Sequence, residues 1–339
     1  MKVTFKKIIA LLLSMLLLLS ACSGKPSSTG DELLDTANTA AYAQTKLFGA
    51  KNKLLSNNES FPAGTSVCDW TAMAFSMLGV DEDYEAYLSS LESYVTEHYK
   101  ADGYLHRSKS TEWHRIALTV MALGGNPESF GNDTNGNPIN LIADGTYNFG
   151  GDDIGAQGNN AYIYALITLD AKNFSVPENA RYTREYLISS LLANQEEDGG
   201  FGIMKGASDI DITAMALQSL APYTADADVN AAVDKALDML SAAQNEDGTF
   251  TNWQSTSSES CAQVIIALCA LGFDPKTDER FVKNGASVFD ALMSFRLSDG
   301  SFSHSLDDKE SDAIATEQAI LALCSMIKAR EGKRLYDFS

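Results

Sequence analysis

The feature that most restricts this chain is a recurring text: a short turn with a glycine and an aromatic, then a helix that is apolar on nearly every face. Residues 195–201 (Gln-Glu-Glu-Asp-Gly-Gly-Phe) precede residues 209–220. Residues 244–250 (Gln-Asn-Glu-Asp-Gly-Thr-Phe) precede 258–271, and residues 298–302 (Ser-Asp-Gly-Ser-Phe) precede 312–323. Fainter copies begin at Asp102-Gly103-Tyr104 and at Asn58-Glu59-Ser60-Phe61, and an irregular one at Asp144-Gly145-Thr146-Tyr147. The aspartates of the five Asp-Gly copies lie 42, 54, 49 and 52 residues apart. Self-similarity at such a period marks stacked supersecondary units.

Each unit reads as helix, turn, helix. Before Gln244, residues Val229, Val233, Ala236, Leu237 and Leu240 share one face, while Asn230, Asp234, Lys235, Asp238 and Ser241 share the other. That is an amphipathic surface helix. After the turn, the text from Cys261 to Leu271 has almost no polar stripe, which predicts a buried helix. Alternation of the two kinds predicts an outer and an inner layer. Gly199, Gly248 and Gly300 can take the left-handed backbone that ends a helix. The third unit, residues 125–170, is the least regular; its outer helix shrinks to about residues 138–147 in a Gly/Asn-rich stretch. Six hairpins with this many buried inner faces predict a closed all-α ring, an (α/α)6 toroid over residues 31–339; an open solenoid is the structural alternative.

The leader sets the expected compartment. Lys2, Lys6 and Lys7 precede an apolar run from Ile8 to Leu19, too short to span a bilayer comfortably and typical of a secretory signal. It ends in Leu19-Ser20-Ala21-Cys22, a text that resembles a bacterial lipobox. That resemblance implies a signal peptide over residues 1–21, a lipid anchor on Cys22 at the outer face of the cell membrane, and a tether over residues 22–30. Loss of the three lysines takes the net charge from −20 to −23. Nucleic acid and polyanionic ligands are poor partners for such a surface. Cys68, Cys261, Cys269 and Cys324 sit in apolar helical text and read as buried thiols. No zinc spacing and no cofactor motif occurs. Residues 133–144 faintly resemble a calcium loop, but Pro138 stands where glycine is needed.

The spacing Gln195-x-x-x-Gly199-x-Phe201, repeated at Gln244-x-x-x-Gly248-x-Phe250, resembles the glutamine-and-aromatic repeat of triterpene cyclases, with Phe for their usual Trp. The stretch from Ser208 to Ala216 resembles both the DxDDTA acid motif of squalene–hopene cyclases and the inner-helix starts of intrinsic factor and transcobalamin. Ser66 to Ala74 echoes the latter. Together these resemble the terpenoid-cyclase, protein-prenyltransferase and transcobalamin group, whose fold is the α/α toroid. In the cyclases the middle Asp is the acid; here Asp209 and Asp211 match the first two positions and Ile212 takes the third. The other reading of Asp209 or Asp211 is a helix cap. Prenyltransferase chemistry would need a zinc site and a cationic diphosphate clamp, neither of which the sequence supplies.

If the ring closes, the inner helices run in parallel and their N-termini gather at one rim. Asp69, Trp70, Trp113, His114, Asn160, Tyr162, Asp209, Asp211, Trp253, Glu259, Asp312 and Glu317 all fall at or near those starts. Aromatic surface beside convergent polar groups is how a concave site grips a small neutral ligand. By resemblance to transcobalamin that ligand would be cobalamin or another corrinoid, with a β-domain or transporter protein as partner. The expectation is binding without catalysis. The alternatives are a glycan-active lyase or hydrolase using Asp211 with Glu259 or Glu317, a cyclase-like enzyme using Asp209 and Asp211, and a protein-interaction module.

Overall fold

The computed structural model describes residues 26, 28–50, 53–151 and 153–339. The signal-peptide and Cys22 expectations lie outside the described residues. Twelve α-helices follow one another among the described residues: α1 (Glu32–Leu47), α2 (Ser66–Leu78), α3 (Tyr84–Asp102), α4 (Thr111–Ala122), α5 (Leu141–Gly145), α6 (Asn159–Asp170), α7 (Arg184–Ala193), α8 (Ile210–Leu220), α9 (Ala227–Ala243), α10 (Ser258–Ala270), α11 (Val288–Ser294) and α12 (Ala313–Ala329). The even-numbered helices form an inner ring. α2 packs on α4, α4 on α6, α6 on α8, α8 on α10, α10 on α12, and α12 returns to α2. The ring is closed, and the solenoid alternative is excluded.

Closure follows from how the hairpins lean. The outer helices α7, α9 and α11 pack on the inner helices α6, α8 and α10 that precede them in the chain. α1 packs instead on α12, the last inner helix. Gln44 of α1 secures the seam: its Nε2 donates to Thr71 Oγ1 of α2 (3.0 Å) and to the Ala313 carbonyl of α12 (2.9 Å). The third outer helix, α5, is only five residues long. Asn140 caps it, its Oδ1 accepting from the Ile142 and Ala143 N–H groups.

The repeated turn is a joint between neighbouring hairpins. Gln195 Nε2 donates to the Gly199 carbonyl and to the Ala232 carbonyl of the next outer helix, both at 2.8 Å. Gln244 Nε2 does the same to Gly248 (2.9 Å) and Phe281 (3.1 Å). Phe201, Phe250 and Phe302 are fully buried. The Phe201 N–H donates to Thr213 Oγ1, and Phe302 to Thr316 Oγ1, tying each aromatic to the inner helix it precedes.

The turn glycines have a second reason to be glycine. Gly199 has φ +92°, and a Cβ there would lie 2.6 Å from the Lys235 carbonyl oxygen of the next outer helix. At Gly300 (φ +97°) a Cβ would meet Thr39 of α1 at 2.4 Å, across the seam. Gly272 also has positive φ (+81°) but faces open space. Gly199→Ala is therefore expected to cost about 2–4 kcal/mol in urea unfolding, from backbone strain plus overpacking, against about 1 kcal/mol for Gly272→Ala. Equal costs at the two sites would show that the close approach contributes nothing.

The four cysteines Cys68, Cys261, Cys269 and Cys324 are free and buried. Burial pushes the thiols of Cys261, Cys269 and Cys324 up to about 12, so they are poor nucleophiles. In the calcium-like loop, the Asp133 carboxylate already accepts from the Asn135 and Asn137 backbone N–H groups and from Asn137 Nδ2.

Candidate functional site

Three consecutive inner helices start in the same way. Asp209, Ser257 and Asp312 are the N-caps of α8, α10 and α12; their side chains accept from the N–H groups of Ile212, Ser260, and Ile314 with Ala315. Capping satisfies donors that the first turn leaves free. Just inside these caps stand Asp211, Glu259 and Glu317. Residues three and four apart share a helix face, which aligns Asn160 with Tyr164 and Ile167, Asp211 with Met215 and Gln218, Glu259 with Gln263 and Ile266, and Ile314 with Glu317 and Gln318. These faces meet one another in the lumen of the ring.

Below the carboxyls the lumen is aromatic and amidic. The Trp70 ring lies 5.8 Å from Tyr164 and 6.3 Å from Tyr336, centroid to centroid. The Tyr164 hydroxyl donates to Met215 Sδ (3.3 Å). Gln218 Nε2 donates to Gln263 Oε1 (2.9 Å), and Gln263 Nε2 donates to Gln318 Oε1 (3.0 Å), an amide ladder across α8, α10 and α12. Tyr336 enters from the opposite end on the C-terminal tail. Lys328 Nζ holds the tail by the Leu335 (2.7 Å) and Asp337 (2.8 Å) carbonyls, and the Phe338 N–H donates to the Ala171 carbonyl. A small cavity lies there, lined by Ile167, Gln218, Ile266 and Tyr336 among others.

The carboxyls differ in environment. Burial pushes Asp211 up to about 6, with Asp209 and Glu259 adding to the rise and Ser260 and Asn252 opposing it. Its Oδ1 has no hydrogen-bond partner. Glu317 is 2% exposed and held well above the ordinary carboxylate range, by burial first and by Glu259 second. Among the described residues Glu317 has neither a hydrogen-bond nor an ion-pair partner. Glu259 receives His304 Nδ1 at 3.0 Å from each carboxylate oxygen, and this hydrogen bond raises the imidazole above its usual value. His304 Nε2 lies 3.4 Å from Ser255 Oγ.

Around the mouth the surface is apolar. Trp253 is 72% exposed at the tip of a two-stranded hairpin (Thr251–Asn252 with Ser255–Thr256), and its Nε1 donates to Asp209 Oδ2 at 2.6 Å. Asn252 Nδ2 reaches the same oxygen at 3.1 Å. Ile203, Met204, Leu306 and Ile314 are also exposed, on the loops and first turns at this end.

Of the twelve residues expected at the rim, Trp70, Asn160, Asp209, Asp211, Trp253, Glu259, Asp312 and Glu317 come together at or inside this mouth. The remainder do not. Asp69 is fully buried between helices, bonded to Arg115 Nε (2.9 Å), the Tyr87 hydroxyl (2.7 Å) and the Gly64 N–H (3.0 Å). His114 is buried against Thr146 Oγ1 at 3.2 Å, and burial lowers its imidazole to about 3, so it is a neutral core residue. Trp113 is buried, donating to the Tyr99 hydroxyl, which itself donates to Asp144 Oδ2. Tyr162 packs outward against Gly155. A Trp or His at a helix start reads the same whichever face it occupies; the phase of the helix decides. That phase was also the signal for Met215, Gln218, Gln263 and Gln318, which the sequence reading passed over. Gln263 is the one polar residue between Cys261 and Leu271. Tyr336 has no local signal, because the tail reaches the lumen only in the folded ring.

The family model of the prenyltransferase alpha-alpha toroid domain matches residues 159–337. Comparison with the curated proteins finds no match. Among solved structures, the chain is similar to the Candida albicans protein geranylgeranyltransferase-I complexed with GGPP (TM-score 0.55, 11% identity, 85% of this chain and 90% of that one). It is similar also to the type II terpene cyclase MstE from Scytonema (TM-score 0.53, 15% identity, 89% of this chain and 99% of that one). An ent-copalyl diphosphate synthase from Streptomyces platensis matches at 21% identity over 76% of this chain, with a TM-score of 0.46, and this chain spans 50% of its length. At these identities the likeness is one of fold.

Proposed function

This chain belongs to the prenyltransferase α/α-toroid family, and from that premise we propose that it is a binding protein that holds a small, non-anionic organic ligand in the mouth formed by α8, α10 and α12. The observation that carries the reading is the carboxyl of Asp211, whose Oδ1 is buried without a hydrogen-bond partner, together with that of the buried Glu317. A carboxyl that is buried and unpartnered costs stability unless something outside the fold completes it. Here it faces an aromatic lumen with an apolar rim, the surroundings expected of a small-molecule site. The leader text supports a lipoprotein tethered at the outer membrane face through Cys22, and that setting suits capture and transfer to a partner β-domain protein or transporter.

Cobalamin is the first probe, on the resemblance to transcobalamin. Calorimetric titration of the mature domain with cobalamin should give saturable heat that Glu317→Gln reduces. No heat, with or without a candidate β-domain partner, removes the corrinoid assignment.

A cyclase reading has one observation in its favour: Asp211 stands at the acid position of the motif and burial keeps its proton to about pH 6. Against it, Asp209 is engaged by Trp253, Asn252 and the helix N-terminus, and Ile212 replaces the third carboxyl. MstE has been solved with geranylgeranyl dihydroxybenzoate as its substrate. Incubation of this protein with that compound tests the reading. A cyclised isomer of unchanged mass, lost in Asp211→Asn, would establish catalysis; unchanged substrate leaves binding as the function.

A further inference from the structure

The polar atoms that the lumen leaves without partners are acceptors. Asn160 Oδ1, Asp211 Oδ1 and Gln218 Oε1 have no hydrogen-bond donor, although Gln218 is 5% exposed. Glu317, at 2% exposed, has none either. The nitrogen atoms without partners, His114 Nδ1 and Arg296 Nε, belong to residues outside the lumen faces. Among the described residues no Lys or Arg pairs with Asp211, Glu259 or Glu317; Glu259 alone is engaged, by His304 Nδ1 and by the Ser258 hydroxyl. The walls beneath are Trp70, Tyr164 and Tyr336, whose ring faces attract positive charge.

We infer that the ligand of this mouth is an organic cation: a positively charged N–H donor, such as an ammonium, carried on an apolar, ring-bearing body. This deepens the binding function proposed above and rests on it. The ammonium would sit between Glu317 and Asp211 and donate to them, and the body would lie against Trp70 and Tyr164. A neutral ligand could fill the apolar volume, but it would leave Asp211 and Glu317 without a counter-charge. An anion would add to the repulsion. A charge-assisted hydrogen bond in a site of low polarity is the stronger kind, and the net charge of −20 draws cations toward the molecule.

The test compares three ligands of one shape with the mature protein: 2-phenylethylammonium, the neutral 2-phenylethanol and the anion phenylacetate. Binding is followed by calorimetry and tryptophan fluorescence at constant salt. The cation is expected to bind at least tenfold more tightly than the alcohol, and the anion not at all. Glu317→Gln should weaken the cation at least tenfold and leave the alcohol within about twofold; Asp211→Asn should act in the same direction. Binding of the cation near pH 6 should also release protons, read as a dependence of the heat on the buffer used. An alcohol that binds as well as the ammonium, or a cation indifferent to Glu317→Gln, overturns the inference and keeps the site. Failure of both, with cobalamin or geranylgeranyl dihydroxybenzoate still binding, does the same. If none of these ligands binds, the binding function falls with it.

Discussion

Replacing Asp69 by alanine is expected to lower the unfolding free energy by about 3–5 kcal/mol, the largest loss from any single substitution considered for this protein. The carboxylate is fully buried and takes three donors: Arg115 Nε, the Tyr87 hydroxyl and the Gly64 N–H. Arg115, itself 8% exposed, also donates from Nη2 to the Gly64 carbonyl and pairs through Nη1 with Glu112. Alanine would leave a guanidinium in the core with only the half-buried Glu112 as counter-charge, and would free two further donors. The cluster joins α2, α3 and α4 to the loop before α2, so the loss falls on the first two hairpins, where α2 meets the closing helix α12. The double variant Asp69→Ala/Arg115→Met, which removes both charges, should recover most of the loss, because burying a paired charge yields little net stability over an apolar pair. Urea unfolding followed by far-ultraviolet circular dichroism measures both. A double variant no more stable than Asp69→Ala would mean that the loss arises from the cavity and not from the stranded charge.

Asp69 also shows where sequence and structure part company. It lies beside Trp70 at the start of α2, and from the text both belong at the rim. A step of one residue turns a helix by about 100°, so neighbours face different surroundings. Trp70 faces the lumen, while Asp69 faces α3 and α4. The layering was legible, because an amphipathic helix and an all-round apolar helix are different texts and each predicts its own burial. The Gln-x-x-x-Gly-x-Phe joint was legible as a motif, and its mechanics are now explicit in the paired bonds of Gln195 and Gln244. Ring closure was an expectation only, since it depends on α12 meeting both α1 and α2 across a long stretch of chain. The lumen was half legible. Its carboxyls stand at helix starts and could be read there, whereas Tyr164, Met215, Gln263 and Gln318 needed the helix phases and Tyr336 needed the fold itself.

The carboxyls at the mouth carry the second large effect, and its sign is opposite. Asp211→Asn is expected to stabilise the unliganded protein by about 2–3 kcal/mol at pH 8, the value that follows from a carboxyl near 6 in the folded ring against an ordinary one in the unfolded chain. In the folded protein burial raises the group, so folding takes up a proton between about pH 4 and pH 6. Stability from this group is therefore full below pH 4, falls as the pH rises through the folded value, and stays low above it. Asparagine does not titrate, so its advantage should vanish below pH 4 and reach its plateau above pH 7. Glu317→Gln should behave in the same way, because burial and Glu259 hold its carboxyl well above the ordinary range. Chemical denaturation of the parent and both variants from pH 3.5 to pH 9 measures the curves. A structural role for these acids predicts the reverse, a loss of stability at neutral pH on removing either one. An acid whose removal strengthens the empty fold but weakens the ligand-bound one is held for the ligand, and that pairing of outcomes is what distinguishes a binding mouth from a sealed core.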